Sequence, residues 1–381
     1  MLGVLLSLAL LAIFVFLWLI GLIIWVIIQF WWLILLAGII ALIKLMVDAV
    51  IPPYDVRRLT TRRLYGYMFL SYISTLGIGI GITYLLFYAF NLWDIFSWIV
   101  LFVGILIFIQ WFFGPPLINF AMDCRPMSQE YGWLVDEIER IAEESGVKPP
   151  KVMISNIDVP NAFAYGNPIF GNYVAFTKGI LKLLPRDELI AVGGHEIGHI
   201  KHRDVHIIIS LMLFPMILYF TGRILLENAF YVRSYGKEEG GAEGILGSII
   251  IGIIFIAISF VIYGMVMFFN RLREYYADAH SAYVTKKPIL LQHALTRLYL
   301  YYRHAKKRKK RTVAFTMLMT INPIAGKKTK EEIDPSTIPE EEINRKIEEL
   351  KKKKTEPEFF DSHPPVPYRL IFLDNIAKEI S

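Results

Sequence analysis

Leu184-Pro185-Arg186-Asp187-Glu188 opens a segment that ends in Gly194-His195-Glu196-Ile197-Gly198-His199. A proline followed by two acids is a helix-start signal, because the first turn lacks N–H partners and carries a positive dipole end. Within such a helix His195 and His199 stand one turn apart on one face, so both imidazoles can reach a single Zn²⁺, one per chain. Glu196, one residue past the first histidine, can reach a water at the metal without being a ligand. Zinc brings the pKa of such a water to about 7, so Glu196 can take its proton during attack on a peptide carbonyl and then protonate the departing amine.

A catalytic zinc takes three protein ligands and keeps one position open. The third ligand must share a compartment with the histidines, so membrane topology decides which carboxylates qualify. The chain has 381 residues and is 55% hydrophobic, too apolar for a purely soluble globule. Met1 to Ile43 contains no Asp, Glu, Lys or Arg, and with about 20 apolar residues needed per span it is read as a hairpin bending near Gly21. A single tilted helix would overshoot the ~30 Å core about twofold. No charged start or small-residue cleavage site is present, so the N-terminus is read as retained.

Four further apolar segments follow, Leu64 to Phe90, Phe96 to Phe113, Val205 to Leu226 and Ile245 to Phe269. Arg57, Arg58, Arg62 and Arg63 precede the first of them, which puts that loop in the cytoplasm. Counting spans then leaves Asp123 to Arg203 inside and the Glu227 to Gly244 loop outside, and returns Arg271 and Arg273 to the inside. Carboxylates of the outer loop are thereby excluded as ligands. Glu274 qualifies, and Asp278, one turn further, can accept the far N–H of a ligand histidine. The alternative makes Glu274 and Asp278 juxtamembrane charges pairing with Arg271 and Arg273.

The expected organisation is a transmembrane region of four spans over residues 1–113, a first cytoplasmic part over 114–204, a transmembrane hairpin over 205–269 and a second cytoplasmic part over 270–381. Ser128 to Ser145 reads as an amphipathic helix stopped by Gly146, and Lys151 to Ile154 and Tyr173 to Thr177 as short strands. Asn167-Pro168 and Gly171-Asn172 mark a turn joining the second strand to Ala162 to Tyr165. His202 and His206 read as interfacial side chains, and His280 and His293 as ordinary ones. The lone Cys124 excludes an internal disulfide and a cysteine zinc cluster. The +6 net charge gathers at the ends of apolar runs and in Lys306 to Arg311, a pattern of membrane orientation rather than nucleic-acid binding. Lys327 to Glu358, with its charged excursion marked 327–358, reads as a partly helical surface segment.

Gly194 to His199, Arg271 to Asp278, Asn161-Ala162-Phe163-Ala164-Tyr165-Gly166 and Ser362-His363-Pro364-Pro365 together resemble the HtpX-type membrane zinc metallopeptidases, relatives of the CAAX prenyl endopeptidases. The resemblance covers the chain from about Leu64 onward. It implies a mainly α, polytopic membrane protein with a gluzincin-like domain and a small β-hairpin, in which Glu274 is the third ligand. It also implies cleavage of misfolded or damaged membrane proteins at the cytoplasmic side of the plasma membrane. Substrates would be membrane proteins or peptides, the bilayer is the standing partner, and no oligomeric state can be read. In that family the strand matching Asn161, Ala162, Phe163 and Ala164 binds substrate at a sheet edge; a hairpin that merely packs under the helix is the alternative. His363 takes the position of a transition-state donor or fourth ligand, with a turn residue before two prolines as the plainer reading. The rival functions are a CAAX-type processing endopeptidase and a zinc-binding membrane scaffold without catalysis. Scarcity of ionisable residues in the spans argues against an ion pathway. The N-terminal apolar block and the Lys/Glu excursion depart from the family's usual form.

Overall fold

A charge-free run of 18 or more residues that keeps its helical geometry is long enough to cross lipid, and among the described residues of the computed structural model of the chain there are four such helices. The structure describes residues 55–235, 241–305, 335–353 and 360–381. The expected N-terminal spans, the Lys306 to Arg311 run and the flanks of the charged excursion lie outside these residues.

The first two spans are α1 (Thr61–Ala89) and α2 (Trp93–Ala121). Thr60 caps α1 by accepting from the Arg63 N–H, and the turn between the helices uses Asn91 at φ 51°. Asn tolerates that left-handed conformation better than most residues. The expected domain boundary at residue 113 is not a break, since α2 runs on through Pro115 and Pro116 to Ala121.

Next come β1 (Cys124–Pro126), α3 (Gly132–Glu144), β2 (Lys151–Ser155), β3 (Ala162–Asn167) and β4 (Gly171–Thr177). The hairpin expected from the sequence is thus one edge of a four-stranded sheet in the order β1-β2-β4-β3. β3 and β4 pair antiparallel from Ala162 opposite Phe176 to Asn167 opposite Gly171, β2 and β4 pair parallel, and β1 adds antiparallel to β2. β1 is three residues long and ends in proline, and the β2 to β4 pairing joins segments that are distant in sequence, so neither leaves a periodic signal. The amphipathic reading of α3 holds, with Leu134, Ile138 and Ile141 fully buried and Gly146 at φ 70° ending the helix.

The chain continues as α4 (Lys178–Leu183), α5 (Arg186–Lys201), α6 (Asp204–Tyr235), α7 (Gly241–Thr285), α8 (Pro288–Ala305), α9 (Glu340–Lys351) and α10 (Val366–Ile380). α6 and α7 are each long and apolar enough to cross a membrane, and α7 does not stop at Phe269, where the apolar run ends. Its 45 residues make a rod of about 68 Å, more than twice the ~30 Å hydrocarbon core. Leu246, Ile250, Ile253 and Phe260 on its first half are exposed, whereas Leu272, Tyr275, Ala277 and Asp278 on its second half are buried in protein. Charges such as Arg271 and Glu274 end an apolar run without breaking a helix, which is why the hydropathy boundary and the helix end differ.

Candidate metal centre

α5 is fixed at both ends. At its start Glu188 is buried and accepts from Arg297 Nε of α8 at 3.0 Å, while Arg297 Nη1 donates to the Ile338 carbonyl, also at 3.0 Å. Along its length it lies against α7 through small residues. A Cβ on Gly198 would stand 3.1 Å from Ala277 Cα and 3.2 Å from His280 Cβ, so only glycine allows the observed approach without displacement. Ser281 Oγ donates to the Ala191 carbonyl at 2.6 Å and locks the crossing. The consequence is that a side chain from α7 reaches the histidine face of α5.

That side chain is Glu274. His195 Nε2 and His199 Nε2 are 3.1 Å apart, Glu274 Oε2 is 3.7 Å from the first and Oε1 is 3.6 Å from the second. Three ligands at about 2.0–2.2 Å from one tetrahedral centre are separated by about 3.4 Å, so the triangle has the size of a zinc coordination face. These groups form a set that can hold a metal ion.

The outer nitrogens settle the tautomers. His195 Nδ1 lies 2.9 Å from Asp278 Oδ1, and His199 Nδ1 donates to Asp204 Oδ2 at 2.6 Å. With both Nδ1 positions committed to carboxylates, both Nε2 atoms face each other and the buried Glu274 carboxylate, a grouping that can hold a cation at its centre. Without one, burial lowers the His199 pKa but the Asp204 hydrogen bond and the Glu274 charge outweigh it and raise it to about 9. A proton and a divalent cation therefore compete for that nitrogen.

Glu196, His363 and Asp278 lie around the same three side chains. Glu196 is buried on α5 beside His195. His363 Nδ1 stands 3.0 Å from Glu274 Oε2, and its segment is tied to α7 by Asn270 Nδ2 donating to the Ser362 carbonyl and Arg271 Nη1 to the Asp361 carbonyl, each at 2.7 Å. Asp278 is clamped by Arg369 of α10, with Nη2 at 2.5 Å and Nε at 2.8 Å from its two oxygens. Arg273, which the juxtamembrane alternative would pair with Glu274 or Asp278, pairs with Asp204 at 2.5 Å.

Asp204 and Arg369 are absent from the sequence reading. Asp204 follows His199 by five positions across a helix break, and Arg369 is a fully buried arginine in the apolar run Val366 to Leu373. A lone arginine in such a run was the available signal, since it needs a buried acid.

Ala162, Phe163 and Ala164 lie in β3, which has β4 on one side, sits at the sheet edge and packs beside α5. Asn161 leads into it, its N–H donating to Thr177 Oγ1 at 2.8 Å and its carbonyl accepting from Thr177 N–H at 3.0 Å. His202 stacks edge-on against Tyr276 at 3.9 Å, and His206 neighbours Trp111 at 6.4 Å. His280 shares a 3.0 Å hydrogen bond with Ser145, and His293 one of 2.8 Å with Asn344, which docks α9 of the charged excursion onto α8.

An HExxH helix joined by a glutamate from a later, membrane-length helix defines a membrane-embedded metallopeptidase. Peptidase family M48 matches residues 128–377, and the chain belongs to that family. It is 40% identical over 281 residues, 72% of this chain and 84% of the relative, to a "Protease HtpX homolog" of Aeropyrum pernix. It is 43% identical over 188 residues, 48% of this chain and 57% of the relative, to "Protease HtpX homolog 2" of Saccharolobus solfataricus. The crystal structure of S. mikatae Ste24p aligns over 82% of this chain and 67% of that one, at 18% identity and a TM-score of 0.49.

Proposed function

We propose that this HtpX-like metallopeptidase is a zinc-dependent endopeptidase that cleaves misfolded or damaged membrane proteins, with His195, His199 and Glu274 as ligands. The observation that carries the reading is the inward-facing pair of Nε2 atoms 3.1 Å apart, each imidazole held from behind by a carboxylate, with Glu274 completing the triangle. Zinc bound there supplies Lewis acidity toward a peptide carbonyl.

The chain's own groups do the rest. Glu196 takes the proton of the attacking water and delivers it to the amine leaving group, so one carboxyl serves as base and then as acid. His363, facing the same ligand set, donates a hydrogen bond to the oxyanion that develops on the substrate carbonyl. The edge of β3 from Ala162 to Ala164, with Asn161 before it, pairs with the substrate backbone and holds an extended segment along α5. Asp278 and Asp204 keep the imidazoles oriented. The four arginines at the start of the first span, Arg57 and Arg58 before α1 and Arg62 and Arg63 in its first turn, support a cytoplasmic active site, and the plasma membrane is the proposed location.

Glu196→Gln in the full chain tests the mechanism. It should keep one zinc per chain and lose hydrolysis of casein, and parent activity should vanish on chelation and return with zinc. Unchanged hydrolysis by the variant would overturn the mechanism, and equal inactivity of parent and variant would favour the non-catalytic zinc scaffold. Hydrolysis confined to a prenylated peptide would favour the processing endopeptidase.

A further inference from the structure

Pro115 and Pro116 lie inside α2 and have no backbone N–H, so the carbonyls four residues earlier, at Trp111 and Phe112, lose their helical donors. Close to lipid such carbonyls are costly to leave bare. A single side chain from outside the helix serves both: Asn167 Nδ2 donates to Trp111 O at 2.8 Å and to Phe112 O at 3.3 Å.

Asn167 is the last residue of β3. Its Oδ1 accepts from the Ile169 and Phe170 N–H groups at 3.1 and 2.9 Å, forming the turn into β4. Two residues earlier, the Tyr165 hydroxyl donates to Asn119 Oδ1 at 2.6 Å, again on α2. One end of the edge strand is therefore fastened to the interrupted membrane helix, and the fastening depends on the two prolines having vacated their acceptors.

We infer that Asn167 is a positioning residue for substrate, holding β3 to α2 so that its outer edge is pre-ordered for strand addition along α5. The inference rests on the reading of β3 as the substrate strand. A pre-ordered edge spares an incoming strand the entropy of ordering its partner, so the tether acts on binding and leaves the chemical step alone.

Two changes separate this role from general support. Asn167→Asp keeps the Oδ1 acceptor of the turn and removes the donor to α2. The pair Pro115→Ala with Pro116→Ala returns helical N–H groups to Trp111 and Phe112 and closes the gap that the amide enters, leaving residue 167 intact. In zinc-loaded full-length protein carrying Glu196→Gln, labelled β-casein should bind about tenfold more weakly in either case, about 1.4 kcal/mol. Combining the changes should add little, because both cut one link. In the hydrolytic parent background KM should rise by the same factor with kcat within about twofold. Unchanged casein binding in the proline variant, or a fall in kcat at constant KM, overturns the inference. Failure of the proposed mechanism shows separately, as casein hydrolysis by Glu196→Gln alone, while the binding comparison still reports on the tether.

Discussion

Asp204 accepts a 2.6 Å hydrogen bond from His199 Nδ1, and the same oxygen pairs with Arg273 at 2.5 Å. Arg273 directly precedes Glu274, so the helix that delivers the third ligand also fixes the orientation of the second. Asp204→Asn keeps the shape of this link but gives up its charge. We expect zinc affinity, read by competition with a chromophoric chelator, to fall about 10–100-fold. Parent-like affinity would show that the bond is dispensable.

Gly198 sets the distance between α5 and α7. A valine there must displace the Ala277 and His280 backbone region, where even a Cβ would stand only 3.1–3.2 Å from its neighbours. Gly198→Val should lose zinc stoichiometry while its membrane helices stay folded by circular dichroism, and Gly198→Ala should be milder. Full zinc occupancy in the valine variant would mean that the crossing tolerates expansion.

His363 faces Glu274 Oε2 at 3.0 Å, and its segment is held in place by Asn270 and Arg271. His363→Ala should retain zinc and lower kcat about 10²–10³-fold with little change in KM, the pattern of a donor that acts on developing charge. Loss of zinc in parallel with activity would assign His363 to the ligand set instead.

Burial raises the Glu188 carboxyl to about 7, against the pull of Arg297 at 3.0 Å. Its ordinary value is 4.5, so the folded chain holds the proton more tightly than the unfolded one. The resulting stability is complete below pH 4.5 and is lost as pH rises through 7, by about 3 kcal/mol at most. Glu188→Gln should flatten the fall of Tm across that window. An unaltered slope would mean that Arg297 keeps Glu188 ionised throughout.

The sequence made the metal triad legible because each part of it has a strong local sign. His195 and His199 share a helix face, and Glu274 lies just past a span whose direction is marked by arginines. Asp278 followed from the same spacing. Asp204, Arg369 and Asn167 work by contacts across the fold, and although Arg369 interrupts an apolar run and Asn167 marks a turn, no local pattern names the partners they reach. The same limit hid the parallel pairing of β2 with β4. The hidden length of α7 has another cause, since hydropathy senses where lipid ends and is blind to whether the backbone turns there.

That uninterrupted α7 makes the bilayer and the metal triangle parts of one screw. Each residue advances a helix by about 1.5 Å and rotates it by about 100°, so inserting one amino acid between Phe260 and Phe269 would swing the Glu274 carboxylate off the histidines while keeping every side chain of the site. An insertion of seven would nearly restore its azimuth and lift it by about 10 Å. A change in the thickness of the lipid around this helix would therefore have to be absorbed by the helices beside it and not by the length of the thread itself.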